Sequence, residues 1–503
     1  MKAVLLLALF AVTPALSIAA SCESMSALAL TATTITLASP VAAGDFALPG
    51  GAATPAALKG LPAFCRVAAT LKPSDDSDIK VEVWLPASGW NGKFQAVGNG
   101  GWAGTISYAA MGQALRRGYA TASTDTGHVG GRGDFVQGHP EKLVDYAYRA
   151  VHEMTIQSKA IVEAYYGDRP RLSYWNGCST GGRQALTAAQ RFPDDFDGII
   201  AGAPGNFRTH HAFSQLWAAH AALKDPASAL PRSKYEVLHK AAVKACDRLD
   251  GLEDGLLDTP SLCRFDPKEL QCKEGDGPTC LTAPQVEAAR KIYGGPKDVR
   301  TGRAIFPALE RGSELGWFAL AGGPEPYQVA VDHFKYVVFE DPKWDWRTLN
   351  FGSDVDLSDK RDRGLVNATD PHLEKFFGHG GKLLMYHGWS DHLIAPQNSI
   401  NYYMSVADTL GGASSISDSI RLFMAPGMGH CSGGDGPNVL ETVGALEQWV
   451  EKGTAPEMVL ASHSTDGKVD RTRPLCPYPQ VAKYKGSGSI DDAASFVCAA
   501  PAK

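Results

Sequence analysis

The chain has 503 residues, of which 44% are hydrophobic, 20% charged and 9% aromatic; that is enough apolar side chain for an ordinary globular core and excludes a disordered or fibrous protein. Forty-eight Lys and Arg against 54 Asp and Glu leave a formal net charge of -6, which offers a polyanion no basic footprint. Nucleic acid is therefore not an expected partner.

Lys2, the apolar run 3–12 and the small residues 17–20 have the layout of a secretory signal, so residues 1–20 are expected to direct export, to a periplasm or out of the cell. No later run reaches about 18 uninterrupted apolar residues, and no membrane span is expected. Ten cysteines follow the signal: Cys22, Cys65, Cys178, Cys246, Cys263, Cys272, Cys280, Cys431, Cys476 and Cys498. Their even number, the absence of a CxxC pair and the oxidising destination make disulfides the default. Cys246 with Cys263, Cys272 with Cys280, and Cys476 with Cys498 are close enough in sequence to close local loops, but counting leaves the connectivity open.

From about residue 79 the chain is punctuated as an α/β domain. Residues 80–85 (KVEVWL), 93–97 (KFQAV) and 119–124 read as strands, each bounded by Gly, Pro or Asn. Apolar residues between 144 and 166 recur at helical spacing and Gly167 stops the run, which predicts one crossover helix. Residues 383–386 (LLMY) and 420–424 (IRLFM) read as buried strands, with a helical stretch near 439–451. Between about 206 and 368 there is no such rhythm, only four cysteines, scattered aromatics and many Gly and Pro turns. This stretch reads as one inserted domain, placed to act as a lid because an insertion between parallel strands lands on the loop face where ligands bind.

The run WNGCSTGGR at 175–183 holds Gly177, Ser179 and Gly181 in G-x-S-x-G spacing between a strand-like and a helix-like segment. A serine hydroxyl is a weak nucleophile near neutral pH and needs an imidazole to take its proton and a carboxylate to hold that imidazole. Asp391 in HGWSD and His430 in APGMGHC each follow a predicted strand, in the chain order serine, acid, histidine. His387, His392 and Asp435 fit that order and position less well. Cys178 precedes the serine and Cys431 follows the histidine, so a bridge between them would tie nucleophile to base. For the oxyanion, the expected donors are the N–H of Thr180 and the GNGGWAG loop at Gly100 and Gly101, where backbone approaches substrate.

At these residues the sequence resembles the tannase and feruloyl esterase family, which also contains the hydrolase of mono(2-hydroxyethyl) terephthalate. The resemblance rests on GCSTGGRQ at 177–184, HGWSD, GHC and the flanking cysteines, and spans nearly the whole mature chain. It implies an α/β-hydrolase fold with a large lid (catalytic part 21–205 and 369–503, lid 206–368) and cleavage of small aromatic esters. It implies the pairings Cys178 with Cys431, Cys22 with Cys65, Cys246 with Cys263, Cys272 with Cys280 and Cys476 with Cys498. It also implies a structural calcium in the lid, held by the carboxylates of Asp247, Asp250 and Asp254 and the carbonyls of Leu252 and Leu256 in CDRLDGLEDGLLD, a hard-oxygen set without EF-hand spacing. No organic cofactor is expected. Members that act on the terephthalate monoester are expected to hold its carboxylate with a lid arginine, and residues 317–338 contain Lys335 but no Arg. The motif is closer to the feruloyl esterase and tannase branches, whose acids present a phenol to an apolar pocket; Trp389, Ile394, Trp317 and Phe318 are candidate lining residues. The expected activity is hydrolysis of hydroxycinnamate-type esters through an acyl-enzyme, with galloyl or terephthalate monoesters as alternative substrates and a non-catalytic binding protein as the alternative of another class. The sequence leaves the oligomeric state open.

Overall fold

The computed structural model describes residues 20–102 and 104–501; the expected signal lies outside the described residues except for its last position. Nine strands form one sheet: β1 (Thr33–Val41), β2 (Phe64–Leu71), β3 (Ile79–Pro86), β4 (Lys93–Val97), β5 (Ala120–Thr124), β6 (Leu172–Cys178), β7 (Gly198–Gly202), β8 (Lys382–Gly388) and β9 (Ile420–Ala425). Their order is β1-β2-β3-β5-β4-β6-β7-β8-β9. From β5 to β9 every pair is parallel, while β1, β2 and β3 run antiparallel to their neighbours, so the sheet is mixed.

The central strands read as short apolar runs because both their faces are covered. Ile199, Leu383 and Leu422 point into one core, with the helices Ala150–Tyr166 and Thr180–Arg191. Ile200, Leu384 and Phe423, one residue on, point into the other core with Leu446 and Trp449 of the helix Thr442–Lys452. The alternation follows from the two-residue period of a strand.

The single helix expected over 144–166 is interrupted. Residues Asp145–Arg149 form a π-helical turn before Ala150–Tyr166 begins. There Asp145 is drawn inward to accept from Ser77 at 3.1 Å and from Arg149 at 2.5 Å. A second π turn spans His333–Val338.

Between β7 and β8, adjacent in the sheet, lie helices and turns and no strand of that sheet. This inserted stretch packs around the helix Arg208–Ala222, whose Ala218 and Ala222 join one cluster with Tyr235, Leu238 and Trp317. Its Phe213 and Leu216 join another with Phe334 and Trp346. Five disulfides connect Cys22 to Cys65, Cys178 to Cys431, Cys246 to Cys263, Cys272 to Cys280 and Cys476 to Cys498. No described helix is long and apolar enough to cross a membrane.

One contact joins the insertion to the loop after β9. His239 lies 2.9 Å from Glu314 through Nδ1 and 2.9 Å from Asp435 through Nε2. Burial opposes charging of this imidazole, but the two carboxylates outweigh it and push its pKa up to about 9. A histidine whose pKa is raised on folding contributes stability that is full below its unfolded pKa near 6.5 and is lost as pH rises through about 9. We expect Tm to fall between pH 6.5 and 9.5, by about 2–6 °C, and His239→Gln to flatten that slope in thermal scans.

Candidate active site

The strand β6 ends at Cys178 and the helix Thr180–Arg191 begins two residues later, leaving Ser179 alone at the turn with φ 64° and ψ -119°. This is left-handed backbone that a non-glycine residue adopts only under constraint. The Ser179 N–H donates to the Gly202 carbonyl, and its own carbonyl accepts from Arg183 and Gly205. The flanking glycines are required sterically. A Cβ on Gly177 would lie 2.6 Å from the Gly181 carbonyl oxygen, and one on Gly182 would lie 2.3 Å from that of Gly202.

Asp391 follows β8 and is fully buried. Its Oδ1 accepts from the N–H groups of Leu393 and Ile394, and its Oδ2 lies 2.7 Å from His430 Nδ1. The other imidazole nitrogen of His430, Nε2, is 2.8 Å from Ser179 Oγ. With Nδ1–H donating to the carboxylate, Nε2 is left to accept the serine proton. Burial alone would raise the Asp391 carboxyl, but the imidazoles of His430 and His387 overcome it and hold it well below the carboxylate range. Burial likewise opposes protonation of His430, and Asp391 reverses the balance, so its pKa is raised. The three side chains that the sequence singled out thus meet at one end of the sheet, with the Cys178–Cys431 disulfide beside them.

A second histidine, passed over in the sequence as a rival for the base, completes the carboxylate. His387 Nε2 lies 3.0 Å from Asp391 Oδ2 and 3.0 Å from the Ile394 carbonyl, and its Nδ1 lies 2.7 Å from Ser399 Oγ. Two oxygen acceptors on one side fix Nε2 as the protonated nitrogen. His387→Phe removes this donor, and we expect kcat to fall about 10- to 100-fold, by analogy with the loss of an outer hydrogen bond that orients a functional group. Steady-state kinetics with KM nearly unchanged is the readout.

The oxyanion side is built from the elbow and the loop after β4. Thr180 opens its helix, so its N–H has no intrahelical acceptor. The Gln184 side chain clasps Asn99 twice, through Nε2 to Oδ1 at 3.0 Å and by accepting the Asn99 N–H at 3.1 Å. Gly101 adopts φ +58°, and its carbonyl accepts from Thr180 Oγ1 and Tyr146 Oη. Gly101 and Thr180 line a narrow pocket with Ser179 and His430, whereas Gly100 lies outside that lining.

Of the four residues expected to line the substrate pocket, Ile394 does so. Trp389 instead faces a separate cavity with Met424, Pro474 and Tyr478. Trp317 is sealed in the core of the insertion against Tyr293, its indole N–H donating to Ser313 Oγ. Phe318 is exposed, with Arg232 above its ring. Large aromatics pack into cores as readily as into pockets, and only the fold separates the two. Sequence reasoning missed Arg208, His211 and Gln215, which do line the pocket.

In the acidic loop the carboxylates are engaged locally. Asp247 accepts from Gly255 N–H, Asp250 from Leu252 N–H, and Asp254 from Leu256 N–H while pairing with Arg473. Among the described residues no group of three or more His, Cys, Asp or Glu is placed to hold a metal ion. The charge is nevertheless crowded: burial, with the neighbouring carboxylates, pushes Asp250 up to about 6 and Asp258 up to about 7, and Asp258 Oδ1 is buried without a partner.

The family described as tannase and feruloyl esterase matches residues 65–499. The chain belongs to that family. An uncharacterised esterase of Xanthomonas campestris is 38% identical over 96% of this chain and 92% of its own length, and a probable feruloyl esterase B-1 of Aspergillus flavus is 35% identical over 86% of each. The crystal structure of feruloyl esterase B from Aspergillus oryzae superposes with a TM-score of 0.89 at 31% identity, covering 95% of this chain and 99% of that one. A tannin acyl hydrolase from Aspergillus niger, 22% identical and covering 95% of this chain and 94% of that one, shares the fold with a TM-score of 0.81. The protein is a carboxylic ester hydrolase with the α/β-hydrolase fold, and its substrate is a small-molecule ester.

Proposed function

We propose that the protein is an exported serine esterase that cleaves aromatic esters of the hydroxycinnamate, feruloyl type through an acyl-enzyme. The observation that carries this reading is the continuous contact from Ser179 Oγ to His430 to Asp391, at 2.8 and 2.7 Å. Ser179 attacks the ester carbonyl as its proton passes to His430 Nε2, and Asp391 stabilises the imidazolium. The oxyanion takes the N–H groups of Thr180 and Gly101. His430 returns the proton to the leaving alcohol, and water, activated by the same nitrogen, releases the acid. The relatives named feruloyl esterase support an aromatic, hydroxycinnamate-type acyl group. Export is supported by the five disulfides, and a lid role for residues 206–368 by Arg208, Gln215, Tyr327 and Val329, which reach the pocket from the insertion.

A fluorophosphonate probe tests the mechanism: one label on the peptide carrying Ser179, together with turnover of methyl ferulate, is expected, and an unlabelled protein would leave only a binding role. Calcium belongs to the same proposal, with Asp247, Asp250, Asp254 and the carbonyls of Leu252 and Leu256 as its ligands and lid stability as its role. The buried, unpartnered Oδ1 of Asp258 beside that loop supports it. Calcium at 100 times its Kd is expected to add about 2.7 kcal/mol to stability, read as a rise in Tm over EGTA-treated protein; an unchanged Tm would exclude the site.

A further inference from the structure

The pocket beside Ser179 is walled on one side by the start of the helix Arg208–Ala222. Arg208, His211 and Gln215 are spaced i, i+3 and i+7, which puts them on one helical face, and all three line the pocket with Ser179 and His430. Each is almost wholly buried, yet Arg208 Nε, both ring nitrogens of His211 and Gln215 Oε1 have no hydrogen-bond partner. Buried polar atoms are nearly always paired, so four orphans on one stripe call for an explanation.

Their remaining contacts fix what each presents. Arg208 Nη2 donates to the Val329 carbonyl and its guanidinium lies 5.0 Å from the Trp102 ring centroid. Asp332, whose charge reaches Arg208, is already engaged by Gly133 N–H, Gln328 and Arg132, so among the described residues no carboxylate pairs with this buried cation. Gln215 Nε2 donates to the Leu393 carbonyl, which leaves Oε1 as a bare acceptor. A Cβ on Gly205 would lie 3.8 Å from both His211 Cε1 and the Ser179 carbonyl oxygen, which places that imidazole at the nucleophile turn. Burial beside Arg208 and His430 keeps His211 neutral, with one nitrogen a donor and the other an acceptor. Both π-helical turns converge behind this wall: Tyr146 and His333 pack on Trp102 at 4.9 and 6.4 Å. Such turns occur frequently at functional sites.

The unpaired stripe therefore offers two donors, Arg208 Nε–H and one imidazole N–H, and two acceptors, the other imidazole nitrogen and Gln215 Oε1. Resting on the esterase reading above, we propose that Arg208, His211 and Gln215 are the specificity-determining residues for the acyl ring and select a ring with two free neighbouring hydroxyls. Two phenolic hydroxyls bring two O–H donors and two oxygen acceptors, matching the stripe group for group. A 4-hydroxy-3-methoxy ring brings one O–H, and a carboxylate brings none and would leave both acceptors bare.

The test compares kcat/KM of the wild-type enzyme for the methyl esters of 3,4-dihydroxycinnamate, ferulate, 3,4-dimethoxycinnamate and cinnamate, and for monomethyl terephthalate. p-Nitrophenyl acetate reads the triad without an aromatic acyl group. The dihydroxy ester is expected to exceed ferulate by about 10-fold and the dimethoxy ester by at least about 100-fold, since a site built around a substrate hydroxyl strongly rejects analogues that lack it. In His211→Phe and Gln215→Leu the ratio of dihydroxy ester to ferulate is expected to fall toward one. Equal turnover of ferulate and the dihydroxy ester, preference for the terephthalate monoester, cleavage of p-nitrophenyl acetate with none of the aromatic esters, or a ratio unmoved by both variants would overturn the proposal. Inertness toward p-nitrophenyl acetate and every aromatic ester would instead overturn the esterase reading. Should the variants fail to fold, the wild-type comparison still decides.

Discussion

Ser179→Ala is expected to lower kcat by about 10^6-fold while leaving the fold intact, the loss typical when a serine nucleophile acting as a unit with its base is removed. The hydroxyl contacts His430 Nε2, and the backbone hydrogen bonds that hold the turn come from the Ser179 N–H and carbonyl, which alanine keeps. The strain at φ 64° is shared by both residues, so Tm should move little. His430→Ala is expected to cost nearly as much, and the double variant hardly more than either alone, because nucleophile and base do not contribute additively. The wild-type pH profile follows from the same contacts. His430 acts as a base only when neutral, and Asp391 raises its pKa, so kcat/KM should fall on the acid side with a midpoint above 6.5. More than a few per cent of wild-type turnover in well-folded Ser179→Ala, after contaminating esterases are removed, would show that another residue attacks the ester.

These contacts were legible in the sequence because each side chain stands just beyond a strand that is buried on both faces. Such strands announce themselves as short apolar runs, and a parallel sheet carries all their ends to one edge. The antiparallel strands Thr33–Val41 and Phe64–Leu71 gave no comparable signal. The first, TTITLASPV, lies at the sheet edge and buries none of its residues fully, so its composition does not alternate clearly. The π turn at Asp145–Arg149 depends on Ser77, far along the chain, and no local pattern announces it. The pocket wall was hidden for a related reason. Arg208, His211 and Gln215 lie in the stretch where the sequence shows no steady strand or helix rhythm, and only the fold brings them to Ser179. Trp317 fails in the opposite sense, since an isolated indole in an irregular stretch looks available for a ligand until Tyr293 and Ser313 are seen to enclose it.

Removing the Cys178–Cys431 bridge, with both cysteines changed to serine so that no thiol is left to mispair, is expected to cost the most stability of the five disulfides. It joins residues 253 apart, against separations of 43, 22, 17 and 8 for the others. In the chain-entropy account a loop of that length corresponds to about 5.5 kcal/mol, reduced by whatever structure the unfolded chain retains. That is a large part of the roughly 5–15 kcal/mol of a typical domain, and a fall in Tm on the order of 10 °C is expected by calorimetry. The bridges Cys246–Cys263 and Cys272–Cys280 lie within this loop but short-circuit little of it, so they should not substitute for it. The comparison variant lacking Cys272–Cys280 is expected to lose far less. Activity separates a second effect from this one. The bridge joins the immediate neighbours of Ser179 and His430, so without it the 2.8 Å contact between them rests on the packing of two loops alone. Well below the new Tm, kcat should therefore fall by about 10- to 100-fold, the scale on which small misplacements of reacting groups act, while KM changes less. A fully active double variant would show that the staple only holds the fold, and a Tm loss no greater than that of the Cys272–Cys280 variant would show that it does not do even that.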